Sequence, residues 1–205
     1  MNRFDDSAAT WDDEVKTERA QQVAEAVLGA VALVPDARIL EYGAGTGLVS
    51  QALLAAVPEA RLTLADNSAG MRQVMSEKIA AGALPSGSRV WDLDLESQQA
   101  PSGEAFDLVV TSLVLHHVHD LERAVVGLAA LVAPGGALCV ADLDAEDGSF
   151  HAQHHDFDGH DGFDRAHVAA LMERCGLTEV RVEDCTTIVK EGTAYPVFLA
   201  TGTRR

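Results

Sequence analysis

Arg38-Ile39-Leu40-Glu41-Tyr42-Gly43-Ala44-Gly45-Thr46-Gly47-Leu48 is the stretch that decides the fold. A short apolar run ends in three glycines spaced two apart and then passes into a helical pattern. A buried strand that turns at glycine into a helix is the opening unit of an open α/β sheet. Glycines at such a turn let the backbone bend tightly and approach a ligand. The helix N-terminus that follows favours a carboxylate or phosphate.

The flanking sequence repeats this alternation. Before the loop, Ala20, Val23, Ala24, Val27, Leu28 and Val31 fall at helical spacing within 16–33, and Pro35-Asp36 ends that helix. After it come a helix over 48–57, a strand over 61–65, a helix over 68–81 and a strand over 90–93. A strand over 106–111, a helix marked by Leu121, Val125, Leu128 and Val132, a Pro134-Gly135-Gly136 turn and a strand over 137–142 follow. Residues 144–162 are rich in His, Asp and Gly, show no period and read as a lid loop. Asp164 is an N-cap for a helix that Gly176 ends, and strands over 179–183 and 195–201 close the chain. Strands alternating with helices predict a parallel sheet covered on both faces.

Composition narrows the function. The 205 residues fit one domain, 1–205, with 1–34 as an arm and helix over the site. Lys plus Arg is 15 and Asp plus Glu is 32, a net charge of −17. Such a chain lacks the basic footprint for nucleic acid and is repelled by anionic lipid surfaces. Cys139, Cys175 and Cys185 form no C-x-x-C pair, which argues against disulfides and a thiolate zinc site and for a cytoplasmic home. The N-terminus, Met1 to Asp6, is acidic and has no apolar signal core. Residues 124–141 are uncharged, but the Pro134-Gly135-Gly136 turn inside them argues against a membrane span.

Asp66 stands at the end of the second strand, 23 residues after Gly43, where a carboxylate can reach ribose hydroxyls. A dinucleotide or another nucleoside cofactor fits that much. The dinucleotide fingerprint G-x-G-x-x-G/A is not met, because Leu48 stands where its third small residue belongs.

Five blocks in order sharpen the choice: Leu40 to Gly47; Asp66-Asn67-Ser68 with Met71; Asp94-Leu95-Glu96; Phe106 to Ser112 running into His116-His117; and Leu131-Val132-Ala133-Pro134-Gly135-Gly136. Over Arg38 to Asp142 the chain resembles the class I S-adenosylmethionine-dependent methyltransferases, in particular the small-molecule enzymes of the ubiquinone/menaquinone-biosynthesis type. The resemblance implies a Rossmann-like, seven-stranded, mostly parallel sheet in the order 3-2-1-4-5-7-6 with the last strand antiparallel. It implies S-adenosyl-L-methionine as cofactor and a small-molecule acceptor. Gly43, Ala44 and Gly45 would line the methionine part, with Glu41 orienting the loop. Asp66 would hold both ribose hydroxyls, with Asn67 beside the adenine and Met71 also at the cofactor, and Asp94 with the Leu95 amide would reach the adenine edge. Asp92 is a rival for Asp94. Thr111 and Ser112 would close the methionine side, and Asp107 would orient the fourth strand. A non-catalytic cofactor-binding or partner protein, and a protein or nucleic-acid methyltransferase, are the alternatives.

Methyl transfer to oxygen or carbon can need a base, and histidine suits that near neutral pH. Of eight histidines, His116, His117 and His119 follow the fourth strand, and His151, His154, His155 and His160 crowd the lid. His117, His151 and His160 are the catalytic candidates, with His151 and His160 expected to act on the acceptor. His151-x-x-His154-His155 with Asp156, Asp158 and His160 offers divalent-ion ligands, as do Asp142 and Asp144, but without firm spacing. No metal is therefore expected.

Overall fold

The computed structural model describes residues 4–5, 7–153 and 157–205. Five parallel strands come first: β1 (Arg38–Tyr42), β2 (Arg61–Ala65), β3 (Arg89–Trp91), β4 (Phe106–Ser112) and β5 (Val132–Leu143). The long strands β6 (Leu177–Lys190) and β7 (Thr193–Arg204) complete one sheet in the order β3-β2-β1-β4-β5-β7-β6. β7 runs antiparallel to both β5 and β6. This is the expected topology.

Both faces of the sheet are apolar, so alternate residues of one strand enter different cores. Ile39, Leu62, Leu64, Leu108 and Val110 pack with α1 (Glu14–Ala30), α2 (Leu48–Leu54) and Met75 of α3 (Ala69–Ala80). Leu40, Tyr42, Val109, Leu138 and Val140 pack with α4 (Leu121–Leu131) and α5 (Arg165–Arg174). The side chains of Asp13, Ser68, Asp120 and Asp164 cap α1, α3, α4 and α5, each accepting a backbone N–H three residues on. Arg38 N–H donates to Asp107 at 2.7 Å, so Asp107 ties the starts of β1 and β4 together.

Two boundaries differ most from the sequence reading. Pro134-Gly135-Gly136 is not a turn between α4 and a strand; it lies inside β5. Phe106 pairs with Val132 and Leu108 with Ala137, so the single residue between the pairs on β4 faces four on β5. The extra residues form a bulge, with Gly135 at φ +80°. A Cβ on Gly136 would lie 2.9 Å from the carbonyl oxygens of Phe106 and Asp107. The second difference is β6, which runs on to Lys190. Register shifts at Thr178/Arg181 and Asp184/Thr186 break its alternation, which is why the sequence pattern stops early. Glu191 and Gly192, both at positive φ, close the hairpin to β7.

No helix among the described residues is long and apolar enough to cross a membrane.

Candidate active site

The carboxyl ends of β1, β2 and β4 open into a cavity of about 780 Å³. At one end stands the glycine loop. Gly43, at φ +66°, passes so close to Val114 that a Cβ would fall 2.3 Å from its Cγ2. Asp66 braces the loop: its two carboxylate oxygens accept from Gly45 N–H and Ser68 N–H, each at 2.8 Å. Each oxygen keeps a lone pair for a further donor. Burial raises the Asp66 pKa despite those bonds. Glu41 lies beneath the loop, 3% exposed, and accepts from Ser50 N–H at 3.0 Å. Burial pushes its carboxyl up to about 7, and the Ser50 bonds offset only part of that.

The N-terminal arm straps this end. Asp5 accepts from Ser68 Oγ at 2.6 Å and from Gly70 N–H at 3.1 Å. Asp12 accepts from Thr46 Oγ1 and pairs with Lys78 at 2.7 Å. Trp11 lies over Gly45, and Phe4 stands edge-on to both Trp11 and His117. The arm therefore covers the glycine loop as well as the far end of the cavity.

That far end is built from histidine. His116 and His117 sit in the turn after β4, and His151 closes a helical turn, Ser149–His151, in the lid. Their ligand nitrogens all lie within 4.8 Å of one another. His116 Nδ1 lies 2.6 Å from Asp142, which ends the parallel part of β5 and is fully buried. Asp142 also accepts from the backbone N–H groups of Leu115, His116 and Leu143. A carboxylate that only accepts fixes the proton on His116 Nδ1 and leaves Nε2 to the cluster. Phe157 stacks on His151 at 3.9 Å, and Phe150 stands edge-on to it. Leu113, at φ +57°, turns β4 into this region. Lys16, Arg19 and Lys190 line the cavity too; burial lowers the Arg19 pKa, while Lys190 donates to the Phe150 carbonyl and lies over its ring.

Of the residues singled out in the sequence, Glu41, Gly43, Ala44, Gly45, Asp66, Asn67, Met71, Ser112, His117 and His151 line this one cavity. Four do not. Asp94 caps its own turn, accepting from Glu96 N–H and Ser97 Oγ. The Leu95 amide donates to the Tyr42 hydroxyl at 3.1 Å. Thr111 Oγ1 is buried inside the sheet end. His160 donates from Nε2 to the Val118 carbonyl at 2.9 Å, while its N–H donates to the His116 carbonyl at 2.7 Å. It thus pins the lid to the turn that carries His116 and does not face the cavity. Asp92 pairs with Arg72 at 3.0 Å. Asp144 is held by Arg165 through two 2.7 Å bonds. His154, His155 and Asp156 lie outside the described residues. Sequence reasoning missed His116 with Asp142. The signal was present, since β4 and β5 are neighbours and Ser112 pairs with Ala141, one residue before Asp142.

Residues 40–138 match the protein family described as "Methyltransferase domain". Over that stretch, about half of its length, the chain is similar to methyltransferase domains. The match covers the stretch that holds the glycine loop, Asp66 and the His116-His117 turn. An uncharacterized methyltransferase of Schizosaccharomyces pombe is 30% identical over 157 residues, 70% of this chain and 54% of that protein. A polyketide synthase-nonribosomal peptide synthetase of Aspergillus clavatus is 36% identical over 114 residues, 53% of this chain but 3% of that protein. The chain thus spans about half or less of the curated relatives it matches. Among solved structures, mitomycin 7-O-methyltransferase superposes with a TM-score of 0.72 at 22% identity, covering 93% of this chain and 54% of that one. At that identity the likeness establishes the fold of the domain and nothing finer.

Proposed function

We propose that this methyltransferase domain moves a methyl group from S-adenosyl-L-methionine to a small-molecule acceptor. One observation carries the reading: a single cavity joins the glycine loop and Asp66 at one end to His116, His117 and His151 at the other. Bound there, the cofactor's sulfonium supplies an electrophilic methyl group. The chain's task is then to hold two partners in line and to keep water out.

Gly43, Ala44 and Gly45 offer backbone to the methionine part, with Ser112 closing it. Asp66 keeps lone pairs for the two ribose hydroxyls. The Leu95 amide is already engaged by Tyr42, so Asn67 and Met71 take the adenine side. The histidine end receives the acceptor. His117 and His151 face it, and His116, held by Asp142, presents Nε2, so the acceptor's proton leaves on that side. The net charge of −17 and a concave cavity of about 780 Å³ favour a small acceptor over nucleic acid or a protein surface.

Calorimetry with S-adenosylhomocysteine and NAD tests the cofactor: the former is expected to bind and the latter not, and tighter NAD binding overturns the reading. Incubation with labelled cofactor and a panel of small hydroxyl, amine and enolic acceptors is expected to yield a methylated product. Tight cofactor binding without turnover on any of them would point to a non-catalytic partner protein.

A further inference from the structure

We propose that His116, His117 and His151 form a site for one divalent transition-metal ion such as Zn²⁺, facing the acceptor end of the cavity. Three imidazoles from two separate segments bring their ligand nitrogens within 4.8 Å of one another. His116 is 2% exposed and His151 8% exposed.

The Asp142–His116 pair supplies an independent reason. A metal-bound histidine ordinarily donates its other N–H to a carboxylate, which sets the tautomer and raises the ring's basicity. Asp142 stands in that place through the 2.6 Å contact with Nδ1, and its backbone bonds hold the carboxylate in position. Phe150 and Phe157 pack apolar rings against His151. Three histidines with the cavity on their open side match the plan of an ion that keeps its fourth position for a ligand. Zinc bonds of about 2.0–2.1 Å require nitrogens roughly 3.3 Å apart, so binding would draw the three rings closer together than the 4.8 Å limit within which they lie. Cysteine is absent from the cluster, so the set favours the borderline ions that imidazole suits over Mg²⁺ or Ca²⁺.

The role of the ion rests on the methyltransferase reading; its binding does not. At the acceptor end it would hold an acceptor oxygen and favour its ionised form, the proton passing to solvent. The two readings therefore fail separately. The chelator-treated full chain is titrated with Co²⁺, read by its visible ligand-field bands, with Zn²⁺ displacing it. One ion per chain with a tetrahedral nitrogen spectrum is expected. His151→Gln and His117→Gln should abolish stoichiometric binding. Asp142→Asn should weaken it by about 10- to 100-fold. His167→Ala, on the exposed face of α5, should leave it intact. S-adenosylhomocysteine binding and circular dichroism report folding of each variant. If the folded chain takes up no Co²⁺, or if folded His151→Gln and His117→Gln keep the site, the proposal is overturned. It is equally overturned if the His154→Ala/His155→Ala double variant alone loses the ion. Co²⁺ binding without S-adenosylhomocysteine binding would retain the site and remove the methyltransferase role.

Discussion

The two ends of the cavity are built on different principles. The glycine-loop end is made from contiguous backbone: five residues after β1 with one carboxylate from the end of β2, and its decisive bonds are to backbone N–H groups. The histidine end is made from side chains that meet only in three dimensions, on the turn after β4, the end of β5, the lid and the tip of the β6–β7 hairpin. An invariant ligand is held by backbone, which few substitutions can alter. A variable one is held by side chains, which can change without moving the sheet.

The largest expected effect is at the backbone end. Gly43→Ala places a Cβ 2.3 Å from Val114 in a left-handed backbone. Strain alone costs of order 1–3 kcal/mol. Binding of S-adenosylhomocysteine should fall below detection in calorimetry, and adding Val114→Ala should restore part of it. If Gly43→Ala binds normally, the backbone account of this end is wrong.

Glu41 separates stability from binding at the same end. Burial holds its proton up to about pH 7, whereas an unfolded glutamate releases it near 4.5. Between those values the folded chain binds more protons than the unfolded one, so stability falls as pH rises and stays lower above pH 7. Glu41→Gln removes this penalty. It should stabilise the ligand-free chain by about 3 kcal/mol at pH 8 and by nothing at pH 4, read by urea unfolding. A gain that does not depend on pH would exclude the buried carboxyl as its cause.

A pair of variants then tests whether the ends divide the work. Asp66→Ala should cost cofactor affinity about 1.5–3 kcal/mol. His151→Ala should change that affinity by less than about threefold while lowering turnover by about 10²-fold. Loss of cofactor affinity in a folded His151→Ala chain would erase the distinction.

The smallest effect belongs to His160. Among the described residues its ring makes one hydrogen bond, to the Val118 carbonyl, so His160→Ala should cost about 1 kcal/mol of stability and lower turnover only by loosening the lid. A loss as large as that of His151→Ala would return His160 to the acceptor site.

The sheet and the glycine-loop end were legible in the chain because both are local. Apolar runs of strand length, helical spacing, caps such as Asp164 and the Gly43-Ala44-Gly45 turn each carry their meaning within a few residues. Even there, local reading placed Asp94 and Leu95 at the cofactor. It could not see that the Tyr42 hydroxyl, 53 residues earlier, takes the Leu95 amide. The β5 bulge and the length of β6 were hidden for a related reason: an inserted residue shifts the alternation on which strand reading depends.

Sequence by itself determined the order of elements, the doubly covered parallel sheet and the Gly43–Asp66 cradle, because hydrophobic period and turn chemistry act over short range. Tertiary structure alone decided which histidines form a site. His160 turns away to a carbonyl, while His116, which was not among the catalytic candidates, is aimed into the cavity by Asp142. The reason is physical: a ring's direction is set by the hydrogen bond on its far nitrogen, and that partner comes from a strand 26 residues away in sequence and next door in the sheet.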